Sequence, residues 1–203
     1  MELIPLSTYN RKDSFYKKAK ASGYRSRAAY KLLELSKRDK LFTRGMKVLD
    51  LGCAPGGWLQ VASKLVGPKG LVVGIDRLET EPLSLSNVKV IRGDITDAET
   101  TERLIQALEG KAGCVLSDMA PDTSGVGFAD HAKSVELVRM AFDLAILALS
   151  EGGNFCTKVF EGSDLNQLVS FMRPHFNKIR RIKPKATRKG SRELYLICSR
   201  FKP

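Results

Sequence analysis

No stretch of about eighteen apolar residues, the length a bilayer-spanning helix needs, occurs in the sequence, so no membrane contact is expected. The opening residues, Met1 to Phe15, lack the charged-then-apolar layout of a secretory signal, and Glu2 and Asp13 interrupt any transit-peptide reading. The expected compartment is the cytoplasm. Cysteine is scarce and scattered: Cys53, Cys114, Cys156 and Cys198 form no CxxC pair and lie in or beside apolar runs. That spacing disfavours a disulfide framework or a thiolate metal site, and it suits small buried hydrophobes with free thiols. No metal-ligand cluster is visible, and no metal is expected. Internal repeats, low-complexity tracts and Pro/Ser-rich linkers are missing too, and so is the GxGxxG turn of a pyrophosphate cradle. The last absence argues against a nicotinamide dehydrogenase.

What is present is 203 residues, 43% hydrophobic and 28% charged, with a net charge of +12. Length and composition suit one globular domain, 1–203, with a full core. The charge is unevenly spread. Residues 11–31 carry +7 and residues 178–192 carry +8, against a total of +12, which leaves the remainder at −3. A slightly acidic body with two basic segments points to a polyanion held by particular surfaces. Solubilising surface charge is the bland alternative. Residues 1–25 are read as a basic leader, loose to about residue 15, that contributes to binding such a partner.

Beyond the leader, strands and helices alternate. Ser26 can cap a helix to about Lys37. Strands are expected at Met46–Leu51, Leu71–Ile75, Val88–Ile91, Val115–Ser117 and Asn154–Val159, and helices at Trp58–Leu65, Asp97–Leu108, His131–Leu149 and Ser163–Met172. Lys178–Lys183 and Leu194–Ser199 have no helix between them and should close the sheet as an antiparallel pair. The expected fold class is therefore α/β, a mostly parallel, seven-stranded Rossmann-like sheet with a C-terminal antiparallel hairpin, the arrangement of class I methyltransferases. Ligands of such sheets sit at the carboxyl ends of the strands. Asp50, Asp76, Asp94, Asp118 and Lys158 all lie at or near those ends.

The first strand runs into Gly52-Cys53-Ala54-Pro55-Gly56-Gly57-Trp58. Glycines there let backbone N–H groups approach a ligand, and the helix N-terminus that follows favours a carboxylate. Asp76 is placed for a ribose diol and Asp94 for an adenine amino group. A nucleoside with a short charged tail suits this set better than a dinucleotide. Lys158, in Phe155-Cys156-Thr157-Lys158-Val159-Phe160, is a charge inside an apolar strand. Desolvation and nearby cations would depress its pKa and make it a candidate general base. Asp118 can hold it, Glu193 can orient it or a hydroxyl, and Lys31 can fix a ribose or phosphate. From these residues alone, a structural salt-bridge network and a catalytic one are equally good readings.

Five stretches carry a family likeness: Arg25 to Leu32, Asp50 to Trp58, Ser117-Asp118-Met119-Ala120-Pro121, Lys158-Val159-Phe160, and Ser191-Arg192-Glu193-Leu194-Tyr195. In this order, and across about residues 14–203, they resemble the FtsJ/RrmJ (RlmE) family of RNA 2′-O-ribose methyltransferases. The resemblance implies a catalytic tetrad at Lys31, Asp118, Lys158 and Glu193. It implies S-adenosylmethionine as methyl donor, S-adenosylhomocysteine as product, and cofactor contacts at Gly56, Trp58, Asp76, Asp94 and Asp118. Gly52 and Pro55 of the turn complete the candidate cofactor set. The implied substrate is a uridine ribose in large-subunit (23S-type) ribosomal RNA, free or within an assembled large subunit, acted on by a monomer. A transfer-RNA or cap-ribose methyltransferase shares the same features. A ribosome-assembly factor that binds RNA with methylation secondary is the reading from another class. Arg25, Arg27, Arg188 and Arg192 are the favoured phosphate contacts, and Tyr24, Tyr30 and Tyr195 are available either to stack on a base or to pack in the core. Two positions depart from the family pattern: Asp122 where many relatives have Asn, and Cys53 where Ala is usual.

Overall fold

A computed structural model describes residues 13–203. The first twelve residues of the expected basic leader, including Arg11 and Lys12, lie outside the described residues. The elements are α1 (Ser14–Ala21), α2 (Ala28–Asp39), β1 (Lys47–Leu51), α3 (Gly57–Val66), β2 (Leu71–Asp76), β3 (Val88–Arg92), α4 (Ala98–Ala107), β4 (Ala112–Ser117), α5 (Gly127–Ala148), β5 (Leu149–Phe160), α6 (Leu165–Met172), β6 (Phe176–Ile182) and β7 (Glu193–Phe201). Among the described residues no helix is long and apolar enough to cross a membrane.

The strands form one seven-stranded sheet in the order β3-β2-β1-β4-β5-β7-β6. β1 to β5 pair in parallel, and β7 runs antiparallel to both β5 and β6. This is the expected mostly parallel sheet with a closing antiparallel pair. The chain winds outward from β1 to β3 and then returns to place β4 on the other side of β1. The reversal opens a crevice between the carboxyl ends of β1 and β4, the usual ligand position in open α/β sheets.

Alternation along the strands divides the core in two. Leu49, Leu51, Val73, Val115 and Phe155 face one side, under apolar residues of α4, α5 and α6. Val48, Val72, Cys114, Leu116 and Cys156 face the other, under α2 and α3. All four cysteines are buried free thiols, and burial pushes each thiol pKa up. Cys53 fills the space beside Gly74, where a Cβ would come within 2.9 Å of its sulfur.

Side-chain caps explain the starts of two helices. Asp97 caps α4 by accepting from Thr100 N–H at 3.0 Å. Part of the stretch read as a leader is helical, because Asp13 caps α1 by accepting from Tyr16 N–H at 2.9 Å. The expected Ser26 cap is not formed. Arg27 occupies the cap position of α2 without a side-chain bond, and the Ser26 hydroxyl instead lies against Gly57 at the start of α3. Asp164, not Ser163, precedes α6, and it caps nothing with its side chain.

Helix α5 is fastened to the end of β5. His131 Nδ1 bonds the Phe160 carbonyl at 2.8 Å, and Phe160 N–H donates to Ser134 Oγ at 3.1 Å. Asp164 N–H donates to His131 Nε2 at 3.1 Å. With Nε2 accepting from the Asp164 N–H, the bond to the Phe160 carbonyl is the one that Nδ1 donates. Gly162 lies so close that a Cβ there would overlap the imidazole ring. Gly162→Ala is therefore expected to destabilise the protein by about 1–3 kcal/mol, as overpacking does. A thermal melt superimposable on wild type would contradict this.

Candidate active site

Four elements meet at the carboxyl edge of the sheet. Lys31 comes from the first turn of α2, Asp118 follows β4, Lys158 lies near the end of β5, and Glu193 begins β7. Lys158 Nζ sits 3.0 Å from Asp118 Oδ1 and donates to the Asp118 carbonyl at 2.6 Å. Lys31 Nζ sits 2.6 Å from Glu193 Oε1. The structure thus joins all four residues as two neighbouring ion pairs.

Tyr195 links the pairs. It is fully buried, its hydroxyl donates to Asp118 Oδ1 at 2.7 Å, and Lys31 Nζ lies 5.7 Å from its ring centre. Of the two uses left open for Tyr195, the structure takes the core one: its ring packs against Trp58, with centroids 5.8 Å apart, and cannot reach a base. Tyr195 stands two residues after Glu193 on the same face of β7. Strand alternation was the signal that could have placed it beside the tetrad.

The site's electrostatics are set by these contacts. Burial works to raise the Asp118 pKa, but the ammonium groups of Lys158 and Lys31 and the Tyr195 and Lys158 hydrogen bonds outweigh it, holding the carboxyl below its ordinary value. Burial, the charge of Asp118 and that of Glu193 push the Tyr195 phenol well above its ordinary range, so it remains a donor. Asp118 is therefore held as a carboxylate, and only acidification below the ordinary carboxyl range would remove its charge.

Beside the tetrad lies the glycine turn. Gly56 has φ +105°, a left-handed conformation that side chains resist, and it turns the chain into α3. At Gly52 a Cβ would come within 2.6 Å of Met119, so β1 and the segment after β4 can approach only through glycine. Asp76, at the end of β2, accepts from Ala54 N–H at 2.9 Å and Leu78 N–H at 2.8 Å, which fixes the turn's shape. Asp94 follows β3 and accepts from Thr96 N–H at 2.9 Å. That bond, with the Thr96 hydroxyl and Arg77, outweighs a smaller burial effect and lowers its pKa. The Trp58 indole donates to the Ala28 carbonyl at 2.8 Å and is buried. Trp58 therefore offers the crevice its backbone rather than its ring. Asp50, one residue short of the end of β1, is fully buried, and neither carboxyl oxygen has a partner among the described residues.

The four candidate arginines are each engaged within the protein. Arg25 donates to the carbonyls of Pro55 at 3.2 Å, Glu81 at 2.5 Å and Pro82 at 2.6 Å, bracing the glycine turn. Arg27 pairs with Asp13, and Arg188 Nε lies 3.5 Å from the same carboxylate. Burial of Asp13 is outweighed by the Tyr16 N–H and these guanidinium groups, so its pKa is lowered. Arg192 donates to the Glu161 carbonyl at 2.6 Å. Tyr30 donates to Ser22 Oγ at 3.0 Å and meets Tyr24 edge to face. Asp13, Arg27 and Arg188 bring the two basic segments, far apart in sequence, onto one surface.

The chain is similar to known methyltransferases. The FtsJ-like methyltransferase family model matches residues 24–201. Ribosomal RNA large subunit methyltransferase E of Methanothermobacter thermautotrophicus is 43% identical over 192 residues, 95% of this chain and 91% of the relative. The protein of the same name from Coxiella burnetii is 44% identical over 195 residues, covering 94% and 91%. Among solved structures, a ribosomal RNA methyltransferase from Plasmodium falciparum aligns with a TM-score of 0.77 at 31% identity, covering 88% of this chain and 98% of that one.

Proposed function

Since the chain belongs to the FtsJ-like methyltransferase family, we propose that it moves a methyl group from S-adenosylmethionine to a ribose 2′-hydroxyl of large-subunit ribosomal RNA. The reading includes a uridine as target, a cytoplasmic monomer acting as one domain over 1–203, and no membrane partner. Its support is the convergence of Lys31, Asp118, Lys158 and Glu193 into paired charges at the sheet's switch point, together with relatives that carry a ribosomal RNA methyltransferase name.

The residues present suit the methyl donor. A glycine-lined turn, carboxylates following successive strands and an unpartnered buried carboxyl at Asp50 surround the crevice. Gly52, Pro55, Gly56 and the Trp58 backbone would hold its amino-acid tail, and Asp76, Asp94 and Asp118 its polar groups. When bound, the donor supplies a methyl already activated by the sulfonium. The protein's task is then mainly to align the accepting oxygen. Lys158 Nζ has two positions taken by Asp118. Its third is left for the 2′-oxygen, where Lys158 either orients the hydroxyl as an ammonium or, as a free amine, accepts its proton. Glu193 holds Lys31, which fixes the ribose or its phosphate.

Arg25, Arg27, Arg188 and Arg192 hold phosphates at the surface that Asp13 and the two basic segments form. RNA affinity should fall linearly on a log–log plot against salt. Affinity independent of salt, in a titration from low to moderate ionic strength, would remove the phosphate role. The reaction itself is tested by mapping 2′-O-methylation across total RNA from cells with and without the protein. A missing large-subunit methyl group, restored by the purified protein and S-adenosylmethionine, is expected. An unchanged map would sink the assignment.

A further inference from the structure

Between the segment after β4 and the start of β7 lies a cavity of about 270 Å³, walled by Thr123, Gly125, Phe160, Ser191 and Arg192. It adjoins the tetrad, because Phe160 pairs with Glu193 across β5 and β7. Its outer wall is held in shape. Asp130 accepts from Ser124 N–H at 2.7 Å, Ser124 Oγ at 2.9 Å and Gly125 N–H at 3.2 Å. Arg192 packs so closely on Gly127 that a Cβ there would collide with its guanidinium. On either side of Gly127, this fastened segment presents two apolar side chains to water: Val126, 60% exposed, and Phe128, 73% exposed. A mobile loop can leave an aromatic outside by default. A segment tied down by three bonds to one carboxylate leaves it outside in a fixed place.

We propose that Phe128 stacks on the base of a nucleotide next to the methylated ribose, with Arg192 beside it taking the adjoining phosphate. This rests on the reading that RNA is the substrate. An unpaired base is flat and apolar on its faces and anionic along its backbone. An exposed aromatic next to a cation suits such an occupant, and stacking tolerates any base. The role is to set where the strand lies, so that one ribose rather than its neighbour meets Lys158.

The test uses wild type, Phe128→Ala and Phe128→Tyr. Turnover is measured on protein-free large-subunit RNA and on large subunits from cells lacking the enzyme. Phe128→Ala should melt like wild type, since its side chain is mostly exposed. Its KM for RNA should rise about tenfold, given what one stacked base contributes, with the KM for S-adenosylmethionine unchanged, and Phe128→Tyr should restore it. A short RNA with 2-aminopurine beside the target ribose should be quenched on binding wild type and less so by Phe128→Ala. This fluorescence is read without turnover, so a protein that methylated nothing would overturn the functional reading while leaving the stacking test standing. Equal KM and equal quenching in wild type and Phe128→Ala would overturn the inference alone. So would a defect confined to assembled subunits with quenching intact, which would assign Phe128 to a ribosomal protein.

Discussion

Replacing Lys158 with methionine should lower the rate of methyl transfer by about 10²–10⁴-fold, the range expected when a positioned proton-transfer group is lost. Calorimetric binding of S-adenosylmethionine should persist, because the glycine turn and the strand-end carboxylates are untouched. Methionine keeps the length and apolar stem that the strand packs around, and it removes the nitrogen that meets Asp118. The carboxylate does not become an orphan, since Tyr195 still donates to it and Lys31 remains nearby. Destabilisation should therefore fall below the roughly 3–5 kcal/mol typical of breaking a buried pair. Arginine should not rescue the rate: its planar guanidinium holds its proton at any accessible pH and cannot reproduce a single nitrogen between a carboxylate, a carbonyl and a substrate oxygen. Single-turnover transfer by the folded methionine variant at the wild-type rate would remove Lys158 from the chemistry.

The second large effect is on stability. Asp50 is fully buried, its oxygens are unpartnered, and burial, then the charges of Asp118 and Asp76, push its pKa well above the ordinary value. The folded protein keeps this proton where an unfolded chain, with a carboxyl near pKa 3.9, releases it. The associated stability is thus fully present below about pH 4 and declines as pH rises toward the folded pKa, by about 1.4 kcal/mol per pH unit. Asp50→Asn has no such proton to retain. Urea unfolding without cofactor should show the variant gaining on wild type as pH rises above about 4, for as long as the folded carboxyl keeps its proton. Parallel curves would show that Asp50 is ionised in the folded protein.

The sheet and the site differ in how far they could be read without coordinates. Strand alternation and the acids at strand ends are local patterns, and they located β1 to β4 and placed Asp118 and Lys158 at strand ends, while the family resemblance named Lys31 and Glu193 as their partners. The start of β5 at Leu149, ahead of Gly152-Gly153, was hidden because the pair reads like a break, while the structure carries the strand through with an irregular register against β4. Helix α1 was missed because its apolar face is small and its cap, Asp13, also serves Arg27 and Arg188. The Ser26 cap failed for a tertiary reason: Gly57 leaves room for the hydroxyl, and the α2 entrance is braced by packing instead. The arginines' internal partners are largely backbone carbonyls from distant segments, which no sequence pattern announces. The Trp58 side chain is drawn inward by an acceptor at Ala28, a partner that no local pattern announces.

β7 lies inside the sheet, between β5 and β6, and it brings both Glu193 and Tyr195 to residues supplied much earlier in the chain. During synthesis, Lys31, Asp118 and Lys158 all leave the ribosome before it. Until β7 inserts, Lys31 has no Glu193, Asp118 lacks its phenol, and the edges of β5 and β6 are unpaired. The nascent polypeptide therefore lacks these paired charges until almost all of it has been made; the four side chains come together late and all at once. The same order suggests a division of the enzyme into two inert pieces, cut in the exposed turn around Lys189 and Gly190, whose mixing would restore the sheet and the chemistry together.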